Sequence, residues 1–340
     1  MELNAALEQL LNRQDLHENQ MEAVMRKLMS GEASDAQVGA ILAALRMKSE
    51  SVPEITSAVK VMRELAAPVK VKDKSHLVDT CGTGGDGSNT FNISTACAFV
   101  VAAAGGHVAK HGNRSFSSKS GSADVLEAAG VNLGLSAEQV AQCVDEVGVG
   151  FMFAPAHHSA MKHVIGPRKE MGVRTLFNML GPLTNPAGAP YQVIGVFNKE
   201  LGPIFAEVLQ RLGSEHVMVV SAEDGLDEIS IASETYVSEL KNGQISHWKI
   251  DPSDFDMDHP DLKDLSVDSA QESLNVIRSV FAGNASAATD IVCLNAGASI
   301  YVSGLTTTYA EGVALARKVI FEGLAQQKFS EFIAKTQSFA

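Results

Sequence analysis

The chain has 340 residues, with 27 Lys and Arg against 40 Asp and Glu for a formal net charge of −13; at roughly 150 residues per domain, about two domains are expected. So negative a field repels polyanions and excludes a nucleic-acid-coating role, and an anionic ligand must find a local basic patch. Four widely spaced cysteines, Cys81, Cys97, Cys143 and Cys293, form no CxxC pair, which excludes a zinc knuckle or disulfide framework and fits a reducing cytoplasm.

Residues 1–67 repeat helical spacing: Leu3, Leu7, Leu10 and Leu11; then Met21, Val24, Met25, Leu28 and Met29; then Val38, Ile41, Leu42 and Leu45. Gly31 ends the second helix and Ser34 starts the third. Ser51, Pro53 and Glu54 make a capping-box start for a fourth helix, which Ala66-Ala67-Pro68 stops. The charge pattern of a secretory signal is missing, since Arg13 is the first basic residue. Val69 to Lys74 reads as a solvated connector or edge strand.

From His76 the pattern becomes short apolar strands alternating with helices: His76 to Thr80, His107 to Lys110, Val149 to Ala154, Gln192 to Phe197 and His216 to Ser221. This predicts an α/β fold in which a small N-terminal helical domain (1–70) precedes a larger α/β domain (71–340) with a mostly parallel sheet. Thr235 to Leu240 and Gln244 to Ile250 flank Asn242-Gly243, a hairpin signal. Two further helical segments, near Ser273 to Phe281 and Tyr309 to Leu324, close the chain. The longest apolar run, Ala96 to Ala104, is far below the roughly 20 residues of a spanning helix, so no membrane partner is expected.

After the first strand comes Asp79-Thr80-Cys81-Gly82-Thr83-Gly84-Gly85-Asp86-Gly87-Ser88-Asn89-Thr90, leading through Phe91-Asn92-Ile93-Ser94-Thr95 into an Ala-rich helix. Glycines admit an anion close to the backbone, and the helix start supplies unpaired N–H groups and the positive dipole end. A strand-to-helix turn that binds nothing is the plainer alternative. Gly82, Gly84 and Gly87 satisfy GxGxxG, but Lys110 stands where a dinucleotide site wants an acidic residue. A Walker loop fails because Ser88-Asn89 follows Gly87 without a lysine.

The segment from Lys110 to Ser122 concentrates three cations and five serines after the second strand and supplies the local basic patch. Loops at the carboxyl ends of neighbouring parallel strands converge on one crevice, so both loops are placed to grip one phosphorylated ligand. Asp227 and Glu228 follow the strand from His216. Beside a phosphate site they suit Mg²⁺, which joins one or two carboxylates to ligand phosphates. His157, His158 and His163 lack an HExxH arrangement and read as packing or capping residues; Asp254, Asp256 and Asp258 read as a solvated turn; Cys81 reads as a packing residue.

Taken together, Met29 to Asp35, Asp79 to Asp86, Asn92 to Thr95, Lys110 to Arg114, Ser120 to Asp124, Phe153-Ala154-Pro155, His158 to Val164, Arg168 to Asn185 and Gly225 to Glu228 closely resemble the anthranilate phosphoribosyltransferases of tryptophan biosynthesis over nearly the whole chain. The resemblance implies a nucleoside-phosphorylase-like fold, a homodimer formed through the helical part, and Mg²⁺-dependent transfer of phosphoribose from phosphoribosyl pyrophosphate to anthranilate. It implies phosphoribosyl pyrophosphate contacts at Gly82, Gly85, Asp86, Thr90, Asn92, Ile93, Ser94 and Thr95. In the second loop it implies Lys110, His111, Gly112, Asn113, Arg114, Ser115, Phe116, Ser117, Ser118 and Ser122. It further implies a metal set of Ser94, Asp227 and Glu228, and anthranilate contacts at Gly82, Asn113, Pro155, His158, Met161 and Arg168. Lys110, Asn113 and Arg168 would act by position and charge, with no acid or base named. A pyrimidine nucleoside phosphorylase shares the implied fold and would be told apart by thymidine phosphorolysis; a non-catalytic nucleic-acid-binding relative would show a large basic face.

Overall fold

Capping boxes open three of the four N-terminal helices. A computed structural model describes residues 1–115 and 119–340, and its first four helices are α1 (Leu3–Leu11), α2 (Glu18–Ser30), α3 (Asp35–Lys48) and α4 (Val52–Leu65). Ser34 accepts the Gln37 N–H at the start of α3, and Gly31 ends α2 at φ +83°. The fully buried Glu54 accepts the Leu16 N–H at 2.9 Å, the Ser51 N–H at 2.8 Å and the Lys48 ammonium at 2.8 Å. A buried carboxylate is tolerated when its oxygens are so occupied, and this one ties the α1–α2 linker to the start of α4.

The chain continues as β1 (Leu77–Gly82), α5 (Ile93–Ala103), β2 (His107–Gly112), α6 (Ser122–Ala128), α7 (Ala137–Val147), β3 (Val149–Phe153) and α8 (Ala154–His157). Next come α9 (Ile165–Met171), α10 (Leu176–Leu183), β4 (Tyr191–Gly195), α11 (Leu201–Arg211), β5 (His216–Ala222), β6 (Thr235–Lys241) and β7 (Gln244–Ile250). The last helices are α12 (Ala270–Phe281), α13 (Ala287–Val302), α14 (Tyr309–Phe321) and α15 (Leu324–Gln337). The sheet order among the described residues is β3-β2-β1-β4-β5-β6-β7, parallel through β5 and antiparallel beyond it. Asn242 (φ +52°) and Gly243 (φ +72°) make the β6–β7 turn, both in the left-handed region that a tight hairpin asks for.

Side chains of the central strands alternate between two cores. Val193, Met218 and Val220 enter a core shared with α5 and α12–α15, while Ile194, Val217 and Val219 enter one shared with α1–α4, α10 and α11. The second core also takes Val164, Leu176, Phe177, Leu180 and Leu183, so the N-terminal helices pack as one layer with the segment around 160–183. Residues 69–74 form a connector without strand pairing. Between α12 and α14 lies α13, which the sequence reading passes over. It is buried almost all round and has no amphipathic period. Beyond Phe321, Gly323 turns the chain (φ +73°) into the separate helix α15. All four cysteines are buried and unpaired, and no helix among the described residues is long and apolar enough to cross a membrane.

Candidate active site

The strand order reverses at β1, which has β2 on one side and β4 on the other. Ligands of open α/β sheets bind outside the carboxyl ends of the strands at such a point. There Gly82 of β1 pairs with Gly195 of β4, and Asp227 fills the space both glycines leave. A Cβ on Gly82 would stand 2.6 Å from Asp227 Oδ2, and one on Gly195 would run into the Asp227 carbonyl oxygen.

The glycine turn leaves β1 here. The Gly84 N–H donates to Asp227 Oδ2 at 2.7 Å, which joins the turn to the acidic pair. Gly84, Gly85 and Gly87 all adopt positive φ, the conformation that glycine takes without steric cost. Asp86 accepts the Ser88 hydroxyl at 2.5 Å. Thr90 Oγ1 lies 3.4 Å from Ser88 Oγ. At the start of α5, Ile93 is buried and Thr95 Oγ1 is a buried polar atom without a partner. Asn92 is used internally: its side-chain carbonyl accepts the Ser120 and Ser273 hydroxyls at 2.8 Å each, and its amide donates to the Ser120 carbonyl.

Lys110 is buried on β2. Its ammonium donates to the Thr80 carbonyl at 2.5 Å and to Ser94 Oγ at 3.1 Å, so it bridges β1 and the mouth of α5. Burial first, then the Asp86 charge, raises the Asp227 carboxyl above its ordinary range; burial and then the Asp227 charge raise Glu228, with Lys110 pulling the other way. Desolvated, mutually repelling carboxylates of this kind are relieved by a divalent cation. Among the described residues no three His, Cys, Asp or Glu side chains form a metal cage. The hard oxygen donors of Ser94, Asp227 and Glu228 are of the type Mg²⁺ prefers, and an ion there would need further oxygens from ligand phosphate and water.

His111 follows Lys110, and its backbone N–H donates to the buried Asp79 carboxylate at 3.2 Å. Its ring stands 5.1 Å from that of His158, and the Nε2 atoms of both are buried without partners. Burial lowers His111 to about 3 and His158 to about 4, so both rings are neutral at pH 7. Gly112 is tight against Ser122 and Phe151. The Asn113 side chain is exposed, and its backbone carbonyl accepts the Ser122 hydroxyl at 3.2 Å. Ser115 donates its N–H to Asp124 at 3.0 Å.

Arg114 is engaged by α6: it pairs bidentately with Glu127 at 2.8 and 2.9 Å and with Asp124 at 2.9 Å. Phe116, Ser117 and Ser118 lie outside the described residues. Pro155 is exposed on α8, and Met161 is half-buried in the turn before α9. The Arg168 guanidinium of α9 lies 5.2 Å from the Phe177 ring centroid, and burial is the cause that lowers its pKa. The structure thus joins Gly82, Gly84, Ser94, Lys110, Asp227 and Glu228 in one cluster and sets His111 and His158 beside it. His157 packs beneath the connector, its Nδ1 3.1 Å from the Ala67 carbonyl.

Two residues outside the sequence-derived set belong to this architecture. Asp79 holds the His111 amide from within the sheet, and Arg174 contacts the glycine turn at the Gly85 carbonyl. Both stand inside motifs quoted above, but neither has a spacing that sets it apart.

Residues 74–326 match the glycosyl transferase family a/b domain, and residues 4–66 match the glycosyl transferase family helical bundle domain. The chain is 68% identical over 340 residues to the anthranilate phosphoribosyltransferase of Hydrogenovibrio crunogenus, with 100% of each chain covered. It is similar to the crystal structure of anthranilate phosphoribosyltransferase from Thermus thermophilus, with a TM-score of 0.93 and 40% identity over 98% of this chain and 99% of that one. The Saccharomyces cerevisiae anthranilate phosphoribosyltransferase in complex with PRPP (phosphoribosyl pyrophosphate) and Mg gives a TM-score of 0.90 and 26% identity over 99% of this chain and 98% of that one. By likeness along its full length, this chain belongs to the anthranilate phosphoribosyltransferase family.

Proposed function

We propose that this chain transfers the 5-phosphoribosyl group of phosphoribosyl pyrophosphate to the amine of anthranilate, giving N-(5-phosphoribosyl)anthranilate and pyrophosphate in tryptophan biosynthesis. The observation that carries the reading is the Gly84–Asp227 hydrogen bond, because it joins a phosphate-binding turn to an acidic pair at one crevice. Backbone N–H groups of the turn and the mouth of α5 bind the phosphates, with Lys110 adding a buried positive charge. Ser94, Asp227 and Glu228 would hold Mg²⁺. When bound, the cation neutralises the pyrophosphate and makes it a better leaving group.

Departure of pyrophosphate leaves positive charge on the ribose, which even a weakly basic aromatic amine can attack. The proton lost by the attacking amine passes to water or to the departing pyrophosphate, so no strong general base is needed, in keeping with the weak basicity of the buried His111 and His158 rings. Arg168 binds the anthranilate carboxylate, whose plane a guanidinium matches bidentately. Asn113, Pro155, His158 and Met161 line the acceptor's approach. Arg114 and Asn92 belong to the phosphoribosyl pyrophosphate contacts in this reading, and their hydrogen bonds to α6 and to Ser120 and Ser273 also hold the loops in shape. Catalysis comes from positioning and from exclusion of water as the helical unit, residues 1–70, closes over the crevice.

A homodimer through the helical unit is part of the same reading. A cytoplasmic location is part of the same reading, and the four free thiols are compatible with it. Incubation with both substrates and Mg²⁺ should yield the phosphoribosylated amine by mass spectrometry, with equimolar pyrophosphate. Absence of product, or equal yield without a divalent cation, overturns the proposal.

A further inference from the structure

We infer that Arg174 is a positioning residue: it clamps the glycine turn in its binding shape and joins that turn to the helical unit. Arg174 lies in the coil between α9 and α10. Its guanidinium makes two contacts at once. Nη2 donates to the Gly85 carbonyl at 2.5 Å, and the planar group lies 3.7 Å from the Phe197 ring centroid. Arginine suits this pairing, because its flat face stacks on a ring while its edge keeps N–H donors free.

The ring beneath the guanidinium is itself fixed to the turn. The Phe197 N–H donates to Thr83 Oγ1 at 3.3 Å, and the Thr83 N–H donates to the Gly195 carbonyl at 2.9 Å. On its other side, the Arg174 carbonyl accepts from Arg46 Nη1 of α3 at 2.5 Å. An unbroken set of contacts therefore runs from the helical unit through Arg174 to the turn.

Gly85 is suited to the clamp twice over. Its φ is +81°, and a Cβ there would stand 2.5 Å from Arg174 Nη2. A trans peptide points its C=O and N–H in opposite directions. Holding the Gly85 carbonyl toward Arg174 therefore turns the Asp86 N–H to the opposite side, and fixes one of the donors on which anion binding by the turn depends.

The inference rests on the proposed function for its ligand, phosphoribosyl pyrophosphate, but the clamp itself is read without any ligand. Hydrogen exchange on the ligand-free R174A, R174K and F197L variants should show faster exchange across residues 83–88 in R174A, less in R174K and F197L, with the strands unchanged. Kinetics on the same variants should show KM for phosphoribosyl pyrophosphate raised at least tenfold in R174A. KM for anthranilate should move less than threefold, and R174K should recover part of the loss. Unchanged exchange in the turn overturns the clamp. Faster exchange with an unchanged KM for phosphoribosyl pyrophosphate, or equal losses for both substrates, overturns its role in binding. A wild-type protein without transferase activity sinks the functional reading instead, and the exchange result still decides the clamp.

Discussion

The Gly84 amide and the Asp227 carboxylate, 143 residues apart in the chain, meet at 2.7 Å. One side chain thus shapes the turn and, in the proposed reaction, holds the cation, so anything that displaces Asp227 disturbs both at once. The room for it comes from Gly82 and Gly195, paired across β1 and β4.

Substituting these two glycines should give different results. In G82A the new methyl presses on a carboxylate end that can swing aside, so the protein folds while kcat falls on the order of tenfold, about 1.4 kcal/mol of barrier. In G195A the methyl meets the Asp227 backbone, which has no such freedom, and the loss falls on stability. Melting temperature and steady-state kinetics together separate the cases. A G195A protein as stable as wild type contradicts the packing described.

D227N keeps an acceptor for the Gly84 N–H but removes the charge. Combined with E228Q, it should raise the Mg²⁺ concentration for half-maximal activity at least tenfold and lower kcat on the order of a hundredfold, about 2.7 kcal/mol. The melting temperature of the cation-free protein should not fall, since two buried, repelling carboxylates are lost. A metal titration unchanged from wild type excludes the pair as ligands.

R168A should raise KM for anthranilate by about 10- to 100-fold, matching the roughly 1.5–3 kcal/mol of a charged hydrogen bond. KM for phosphoribosyl pyrophosphate should stay within about threefold. Equal increases for both substrates would remove Arg168 from the acceptor site.

The buried histidines set an acid limit on stability. His158 titrates near 4 and His111 near 3 in the folded chain, against an ordinary value of 6.5. The unfolded chain therefore binds the extra protons first as pH falls. Their contribution is complete above about pH 6.5 and is lost progressively down to the folded values, about 3 kcal/mol for His158 by pH 4. Denaturant unfolding across pH 4 to 7 should show this slope, and H158Q should flatten it. A slope identical in the variant refutes the assignment.

Much of the fold was legible because local chemistry and final structure agree at particular residues. Ser34 and Ser51 cap, Gly31 stops a helix, and Asn242-Gly243 turns a hairpin. Strand ends moved by one or two residues, as at β1, which runs on to Gly82. The α13 helix escaped notice because burial on every side erases the periodicity that marks a surface helix. In the site, Gly82, Asp86 and Asp227 were visible through turn chemistry and charge. Arg114 is a phosphate contact by the resemblance alone, and its partner Glu127 sits 13 residues on, on the following helix and outside the motif that carries Arg114. Asp79 and Arg174 act through contacts 32 and 89 residues away in sequence, which no local window contains.

The shared packing of α1–α4 with residues 160–183 has a mechanical consequence. The polypeptide passes between this layer and the rest of the molecule at three places, near residues 70, 155 and 187, and Leu209 and Val219 of the α/β part sit in the same apolar seam. A layer joined to the rest of the molecule at three points and along one apolar face is held more firmly against a wide swing than one carried on a single hinge.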